Sequence, residues 1–130
     1  MPRRSSDEAA VSAAIALEFG RGLCRLLRNN VGSLFDRTGR PVAYGLGSQG
    51  GKPFRGTSDW IGWRSLVITP EMVGQRIAVF AAVETKDLAK ASAAQERFIA
   101  NVQAAGGLAG VAHNVDEARA ILFPPHLPPV

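Results

Sequence analysis

The sequence predicts a mixed α/β fold in which helices flank a β-sheet. Short apolar runs of strand length alternate along the chain with segments whose apolar residues recur at helical spacing. The apolar run 76–86 is followed by a helical pattern and then by a second apolar run at 108–112. This succession is typical of a βαβ crossover, so the two runs should form parallel strands.

The amino-terminal half predicts a helix and two short strands. Ser5 and Glu8 have the spacing of a capping box, and Gly20 stops the helical pattern that follows them. Segment 22–30 has the pattern of a short strand or of a helical turn, and we favour the strand. A turn at 36–41, a strand at 42–46 and a glycine-rich loop at 47–56 follow.

The carboxy-terminal half predicts the crossover and a last helix. Its segments are a strand at 58–69, a connection at 70–75, a strand at 76–86, a helix from about 92 to 105, a strand at 108–112 and a helix from about 115 to 122. Two capping patterns open these helices, Ser92 with Gln95 and Asn114 with Glu117. The whole chain thus contains, in order, a helix, three or four strands, a helix, a strand and a helix.

Length and composition indicate a single globular domain. The 130 residues are 46% apolar and 20% charged, which is typical of a soluble protein of one domain. Cys24, the single cysteine, can form neither an internal disulfide nor a cysteine-based zinc site, which fits a reducing compartment. No run approaches the roughly 18 apolar residues of a membrane span. We therefore expect one cytoplasmic domain over residues 1–123, a proline-rich extended tail at 124–130 and no membrane partner.

Charge is distributed unevenly along the chain. Residues 1–58 hold nine basic and four acidic residues, a net charge of +5, whereas residues 59–130 hold six and seven, a net charge of −1. A basic half beside an acid-bearing half suits a surface for a polyanion and a separate catalytic or metal-binding site. Ordinary surface solubility explains the same distribution, so charge alone leaves both interpretations open.

A glutamate and a lysine end the most apolar strand, in the stretch "VFAAVETK". Glu84 and Lys86 lie on one face of an extended chain, roughly 6–7 Å apart, and Asp59 lies 25 residues before Glu84. Two carboxylates on adjacent strands can hold a hard divalent cation, and a lysine beside them can orient the attacking water or stabilise the phosphorane. The backbone carbonyl of Thr85 could supply another ligand. From spacing alone, a same-face surface ion pair explains Glu84 and Lys86 as well.

Five longer segments surround these residues: "RNNVG" (28–32), "GTSDWIGW" (56–63), "ITPEMVGQRIAVFAAVETK" (68–86), "AQERFIANVQAAGGLAGVA" (94–112) and "VDEARAIL" (115–122). Together they resemble the VRR-NUC family, a branch of the PD-(D/E)XK nuclease superfamily. Small stand-alone members of that family are common in phages and prophages. The resemblance covers about residues 7–122, with the segments in the family's order.

The resemblance implies a restriction-endonuclease-like mixed sheet flanked by helices, in the order α-β-β-β-α-β-α, that cleaves DNA with Mg²⁺ or Mn²⁺. Asp59, Glu84 and Lys86 match the family's catalytic motif. Glu8 looks like the additional acid that the superfamily often places near the metal, and Gln95 matches a glutamine on the helix after the catalytic strand. The resemblance further implies double-stranded or branched DNA, such as four-way (Holliday) junctions or flaps, a homodimer, and a bacterial or phage-encoded protein of replication, recombination or repair.

Two positions depart from the family pattern. Thr85 stands where the family often has valine, although its carbonyl would serve equally well. Segment 87–92 lacks the glycine expected soon after the lysine. Neither departure removes a catalytic group.

Each supporting residue also has a simpler explanation. Glu8 could merely complete the capping box of Ser5, and Gln95 that of Ser92, although Gln95 lies on the sheet-facing side of its helix. The residues expected to contact DNA could instead form turns or be solvated; they are Arg28, Asn29, Asn30, Lys52 and Arg55. For the whole protein, the main alternative is a DNA-binding module of the same fold that cleaves weakly alone or acts only with a partner. A phage packaging or structural accessory protein with a vestigial site is a third alternative, against which the intact set of Asp59, Glu84 and Lys86 argues.

Overall fold

The computed structural model describes residues 3–48, 52–53 and 56–128, with side chains from residue 7 onward. The chain divides into two compact units, Met1–Arg64 and Ser65–Val130, and the single domain over 1–123 stays a prediction. In the described residues, three helices and small two-stranded sheets confirm the mixed α/β class. Five strands precede the second helix there, so the predicted α-β-β-β-α-β-α order is not confirmed. None of the described helices is long and apolar enough to cross a membrane.

In the described part of the amino-terminal unit, one helix accompanies two antiparallel strand pairs. The elements are α1 (Arg3–Phe19), β1 (Cys24–Arg28), β2 (Gly32–Phe35), β3 (Pro41–Tyr44) and β4 (Trp60–Arg64). β1 pairs with β4, and β2 pairs with β3 as a hairpin. The strands predicted at 22–30 and 42–46 are confirmed with slightly different ends. β4 covers only part of the strand predicted at 58–69, and β2 is an addition to the prediction.

The start of α1 differs from the prediction. The helix begins at Arg3, so Ser5 lies inside its first turn. A capping residue precedes the first helical residue, so the helix bounds do not place Ser5 at a cap, and the side chain of Ser5 lies outside the described residues. Glu8 lies in the interior of the helix, where capping no longer explains its presence.

Two arginine–tryptophan pairs join β1 to β4. The register places Arg25 opposite Trp63 and Arg28 opposite Trp60. Each guanidinium lies over the indole ring opposite it, 5.7 Å and 5.5 Å from the ring centroid, respectively. Such cation–π contacts contribute about 0.5–1 kcal/mol each at exposed sites. They favour the observed register because directly opposed side chains are the closest neighbours in an antiparallel pair.

The β2–β3 hairpin turns at Asp36, as predicted. The Oδ1 atom of Asp36 accepts hydrogen bonds from the Thr38 hydroxyl (2.6 Å), the Thr38 amide (2.8 Å) and the Arg40 amide (2.9 Å). These bonds, that of the Thr38 hydroxyl above all, hold the pKa of Asp36 below its ordinary value of 3.8. Leu34 and Phe35 of β2 are both exposed, so this strand lacks the alternation of buried and exposed residues that predicts strands.

The carboxy-terminal unit contains the predicted βαβ crossover. The elements described in it are a 3₁₀ turn (Pro70–Met72), β5 (Ala81–Thr85), α2 (Ala93–Ala104), β6 (Leu108–Ala112) and α3 (Val115–Leu122). β5 and β6 are parallel, with Ala81 opposite Leu108 and Thr85 opposite Ala112. The prediction of parallel strands joined through a helix is confirmed, and β6 has the predicted bounds.

The buried core of the described residues lies in this unit. It consists of Val102 on α2 and of Ala109 and Ala112 on β6. Gly110 lets α3 approach β6 closely, because a Cβ atom at this position would lie 2.8 Å from Cδ1 of Ile121. Both α2 and α3 contact β6, so this strand is the central element of the unit.

β5 is shorter than the strand predicted at 76–86. Its ladder with β6 ends at a hydrogen bond from the Leu108 amide to the Phe80 carbonyl oxygen (2.9 Å). β6 cannot begin earlier, because Gly107 still donates its amide to the Val102 carbonyl oxygen (2.9 Å) at the end of α2. Apolar content alone does not determine the length of a strand, since each strand of a pair ends where its partner ends.

Both predicted helix starts in this unit are confirmed. The Ser92 hydroxyl accepts from the Gln95 amide (3.1 Å), and the Gln95 side chain accepts from the Ser92 amide (2.8 Å), which completes a capping box for α2. Asn114 caps α3, since its Oδ1 accepts from the Glu117 amide (2.8 Å). Each cap satisfies an amide that the helix leaves without an internal partner.

The described part of the proline-rich tail, predicted to be extended, contains a turn. The Leu127 amide donates to the Pro124 carbonyl oxygen over 3.0 Å. Pro125 occupies the second position of this turn, where the fixed φ angle of proline is favourable.

Removing the cap of α3 should destabilise the carboxy-terminal unit. In Asn114→Ala the Glu117 amide loses its acceptor, so we expect the free energy of unfolding to fall by about 1 kcal/mol. Chemical denaturation followed by circular dichroism measures this change. Asn114→Asp retains a capping oxygen and should unfold like the wild type. An equal loss in both variants would contradict the capping role.

The lowered pKa of Asp36 should make the hairpin sensitive to acid. A carboxylate with a lower pKa in the folded state stabilises the fold above its ordinary pKa and loses this contribution as the pH falls through its folded pKa. Asp36→Asn keeps the shape of the side chain but not its charge. It should be less stable than the wild type near neutral pH, and the difference should vanish in strong acid. Denaturation at a series of pH values measures it, and a difference independent of pH would contradict the role of the charge.

Candidate functional site

Glu84 is the centre of a polar cluster at the end of β5. Its Oε1 accepts a hydrogen bond from Nε2 of Gln95 (2.8 Å) and lies 3.2 Å from Nζ of Lys86. The side chains of Glu84 and Lys86 are 32% and 22% exposed, respectively. A half-buried carboxylate needs partners of this kind, because burial of an unpaired charge is unfavourable. Three residues of the predicted site are therefore in direct contact.

Gln95 has both of the roles that the sequence leaves as alternatives. Its Oε1 accepts from the Ser92 amide at the start of α2, while its Nε2 donates to Glu84. A carboxamide carries an acceptor and donors in one plane, so one group can complete the cap and orient the carboxylate. Because the cap holds the first turn of α2, it also determines the direction from which Gln95 reaches Glu84.

Lys86 lies directly after β5, where its backbone amide donates to the Ala112 carbonyl oxygen (3.1 Å). The ion pair of Lys86 with Glu84 is also what the simpler interpretation of the sequence predicts. The additional bond from Gln95 distinguishes the cluster from an isolated surface pair. Thr85 is the last residue of β5 and pairs with Ala112; the role of its carbonyl as a metal ligand stays a prediction.

The amino-terminal unit holds a cleft of about 500 Å³. Glu8 of α1 and Asp59, directly before β4, both line it, together with Ser12, Arg28 and Trp60. Apolar residues of α1 form the rest of the wall: Ala9, Val11, Ala13 and Ile15. The two acids predicted in this part of the chain thus share one cleft, and carboxylate oxygens are ligands that Mg²⁺ prefers.

Ser12 joins α1 to the ends of β1 and β4 beside this cleft. Its Oγ accepts hydrogen bonds from Nη1 of Arg28 (3.1 Å) and from Nε1 of Trp60 (3.2 Å). Arg28 also donates from Nε to Oδ1 of Asn30 (3.0 Å). Ser12 is absent from the residues predicted from sequence. The available signal is its spacing, since Ser12 follows Glu8 by four residues and so lies on the same face of the helix.

The residues predicted to contact DNA have different surroundings. Arg28, Asn30 and Lys52 are exposed, and Arg55 lies outside the described residues. Asn29 is half-buried, and its side chain bonds to other parts of its own unit. DNA contact by these five residues stays a prediction.

Acidic residues occur in both units, but the described side chains do not form a preformed metal centre. Across residues 3–48, 52–53 and 56–128, no three His, Cys, Asp or Glu side chains form a group that could hold a metal ion. No family model, curated protein or solved structure shows significant similarity to the chain. The resemblance to the VRR-NUC family therefore rests on the sequence motifs, and what it implies stays a proposal.

Replacing the amide of Gln95 should separate its two roles. Gln95→Glu keeps an oxygen for the Ser92 amide, but it removes the donor to Glu84 and brings two negative charges together. A hydrogen bond to a charged group contributes about 1.5–3 kcal/mol, so without added cations we expect the unfolding free energy to fall by at least about 1 kcal/mol. Added Mg²⁺ should recover much of the loss, because adjacent carboxylates bind divalent cations.

Denaturation with and without MgCl₂ measures this effect. Gln95→Met is the matched control, because it removes both bonds without adding a charge. It should lose stability as well, but Mg²⁺ should stabilise it no more than it stabilises the wild type. The same response to Mg²⁺ in the two variants would show that residues 84 and 95 do not form a joint cation site.

Proposed function

We propose that the protein is a metal-dependent DNA endonuclease that hydrolyses phosphodiester bonds. The observation that carries this proposal is the Glu84 cluster. An acid, a lysine and a glutamine that match a nuclease motif lie in direct contact at the end of a parallel strand. Abundant charged residues often form a Glu–Lys pair by chance, but a glutamine bonded to the same carboxylate oxygen is a more specific arrangement.

From the family resemblance, the proposal assigns Mg²⁺ or Mn²⁺ ligands in each unit: Asp59 and Glu8 in the amino-terminal unit, and Glu84 with the backbone carbonyl of Thr85 in the carboxy-terminal unit. This donor set fits a hard divalent cation because every member is an oxygen. Asp59 and Glu8 are exposed and Glu84 is partly so, which leaves their oxygens accessible. When bound, such a cation activates water and neutralises the charge that develops on the phosphate.

The chain's own residues supply the remaining functions. Gln95 orients the Glu84 carboxylate through its bond to Oε1. Lys86 keeps its ammonium group beside that carboxylate, where it can donate a hydrogen bond to the attacking water or to a phosphate oxygen. Arg28 is exposed and lines the same cleft as Asp59, and it is suited to contact a backbone phosphate.

The substrate is proposed to be duplex or branched DNA. The net charge of +5 in residues 1–58 supports a polyanionic ligand. Preference for four-way junctions or flaps, the homodimer and the cytoplasm of a bacterial or phage-infected cell are proposed from the family resemblance alone.

Cleavage assays test this function directly. Purified protein is incubated with linear, flapped and four-way-junction DNA in Mg²⁺, Mn²⁺ or EDTA. We expect cleavage only with a divalent cation. Removal of a group that handles the attacking water or the phosphate charge should slow cleavage by about 100-fold or more, in each of Asp59→Asn, Glu84→Gln and Lys86→Ala.

Matched controls remove the same charges elsewhere. Lys90 and Asp116 are exposed, and Lys90→Ala and Asp116→Asn should leave the rate unchanged. DNA binding without cleavage of any substrate would contradict the endonuclease and support the alternative, a DNA-binding module. Unchanged cleavage in the three site variants would show that the catalytic residues are misassigned.

A further inference from the structure

Asn29, directly after β1, connects separate segments of the amino-terminal unit. Its Nδ2 donates to Oγ1 of Thr57 (3.2 Å) and to the carbonyl oxygen of Ser58 (3.0 Å). Its Oδ1 accepts from the Leu46 amide (3.0 Å). Its own backbone amide donates to the carbonyl oxygen of Asp59 (2.8 Å). Both amide hydrogens and the amide oxygen of the side chain are therefore engaged.

These bonds hold together the two ends of the connection between β3 and β4. Leu46 lies shortly after β3, whereas Thr57 and Ser58 lie shortly before β4. A single half-buried side chain thus bonds to both ends. Because its donors and its acceptor are used within the unit, Asn29 is better suited to organising the chain than to reading a ligand.

Asp59 is the residue whose position these bonds determine. Arg28 and Trp60 form the last pair of the β1–β4 ladder, and the backbone bond from Asn29 to Asp59 extends that ladder by one position. The side-chain bond to Ser58 holds the peptide directly before Asp59. The backbone of the aspartate is therefore restrained on one side by Asn29 and on the other by β4.

We propose that Asn29 is a positioning residue for Asp59. Its bonds restrain the backbone of Asp59, and so they hold this aspartate in the cleft that Glu8 also lines. This role rests on the proposed function, because it acts through the aspartate that is assigned to the cation. Groups that orient a metal ligand typically change metal affinity or activity by about 10–100-fold when they are removed. Positioning and direct DNA contact by Asn29 make different predictions.

Metal affinity and DNA affinity, measured separately, distinguish the two roles. Mn²⁺ binding is measured by electron paramagnetic resonance, and binding of four-way-junction DNA by fluorescence anisotropy in EDTA. In Asn29→Ala we expect Mn²⁺ affinity to fall by about 10-fold or more and DNA affinity in EDTA to stay unchanged. Asn101→Ala makes the same replacement at an exposed position of α2 and should alter neither affinity.

A second variant separates positioning from electrostatics. Asn29→Asp keeps an acceptor for the Leu46 amide but removes both donors. Its added negative charge would by itself strengthen cation binding, whereas loss of the bonds to Thr57 and Ser58 should weaken it. We therefore expect a fall in Mn²⁺ affinity despite the extra charge. Circular dichroism shows whether each variant is folded. If Asn29→Ala does not fold, Asn29→Asp is the variant that tests the positioning role.

The outcomes discriminate between this role and the proposed function. Unchanged or increased Mn²⁺ affinity in folded Asn29 variants would overturn the positioning role without contradicting the proposed endonuclease activity. A loss confined to DNA affinity would do the same and would make Asn29 a DNA contact. Absence of Mn²⁺ binding by the wild type would overturn both proposals together.

Discussion

The carboxylate of Glu84 constrains the arrangement of the carboxy-terminal unit. It lies at the end of an apolar strand with only 32% of its side chain exposed, and a charge in such surroundings is unfavourable unless it is compensated. Lys86, directly after β5, and Gln95, in the first turn of α2, provide this compensation. The strand end and the helix start are thus coupled through one oxygen atom, Oε1. The same coupling restrains the Glu84 carboxylate, as its proposed role as a metal ligand demands, because a loosely held carboxylate cannot orient a ligand.

A comparable constraint acts in the amino-terminal unit, where Glu8 and Asp59 line one cleft. Both side chains are exposed, so solvent screens the repulsion between them, and their positions depend on bonds that hold the backbone. Ser12 and Asn29 provide such bonds from α1 and from the end of β1, and Arg28 adds a positive charge at the same cleft. In both units, therefore, amide and hydroxyl side chains hold the elements that carry the predicted acids.

The features that the sequence predicted correctly depend on residues close together in the chain, and those that it missed depend on distant residues. The caps at Ser92 and Asn114 and the bounds of β6 are local features, and the structure confirms them. β2 escaped prediction because its apolar residues are exposed on both sides, and β5 is shorter than its apolar run because its partner is short. The pattern at Ser5 predicted a helix start there, but α1 begins two residues earlier, at Arg3. A capping motif does not prevent a helix from beginning before it.

The sequence by itself determined which polar residues could share a face. Alternation along a strand places Glu84 and Lys86 together, and the four-residue spacing of Glu8 and Ser12 places both on one side of α1. Only the tertiary structure decided that Gln95 caps its helix and holds Glu84 at once, and that Asn29 bonds to residues on both sides of a long connection. These bonds join residues that are 11 and 28 positions apart, respectively. Their formation depends on how whole elements pack, and neither the periodicity nor the capping of a single segment encodes that packing.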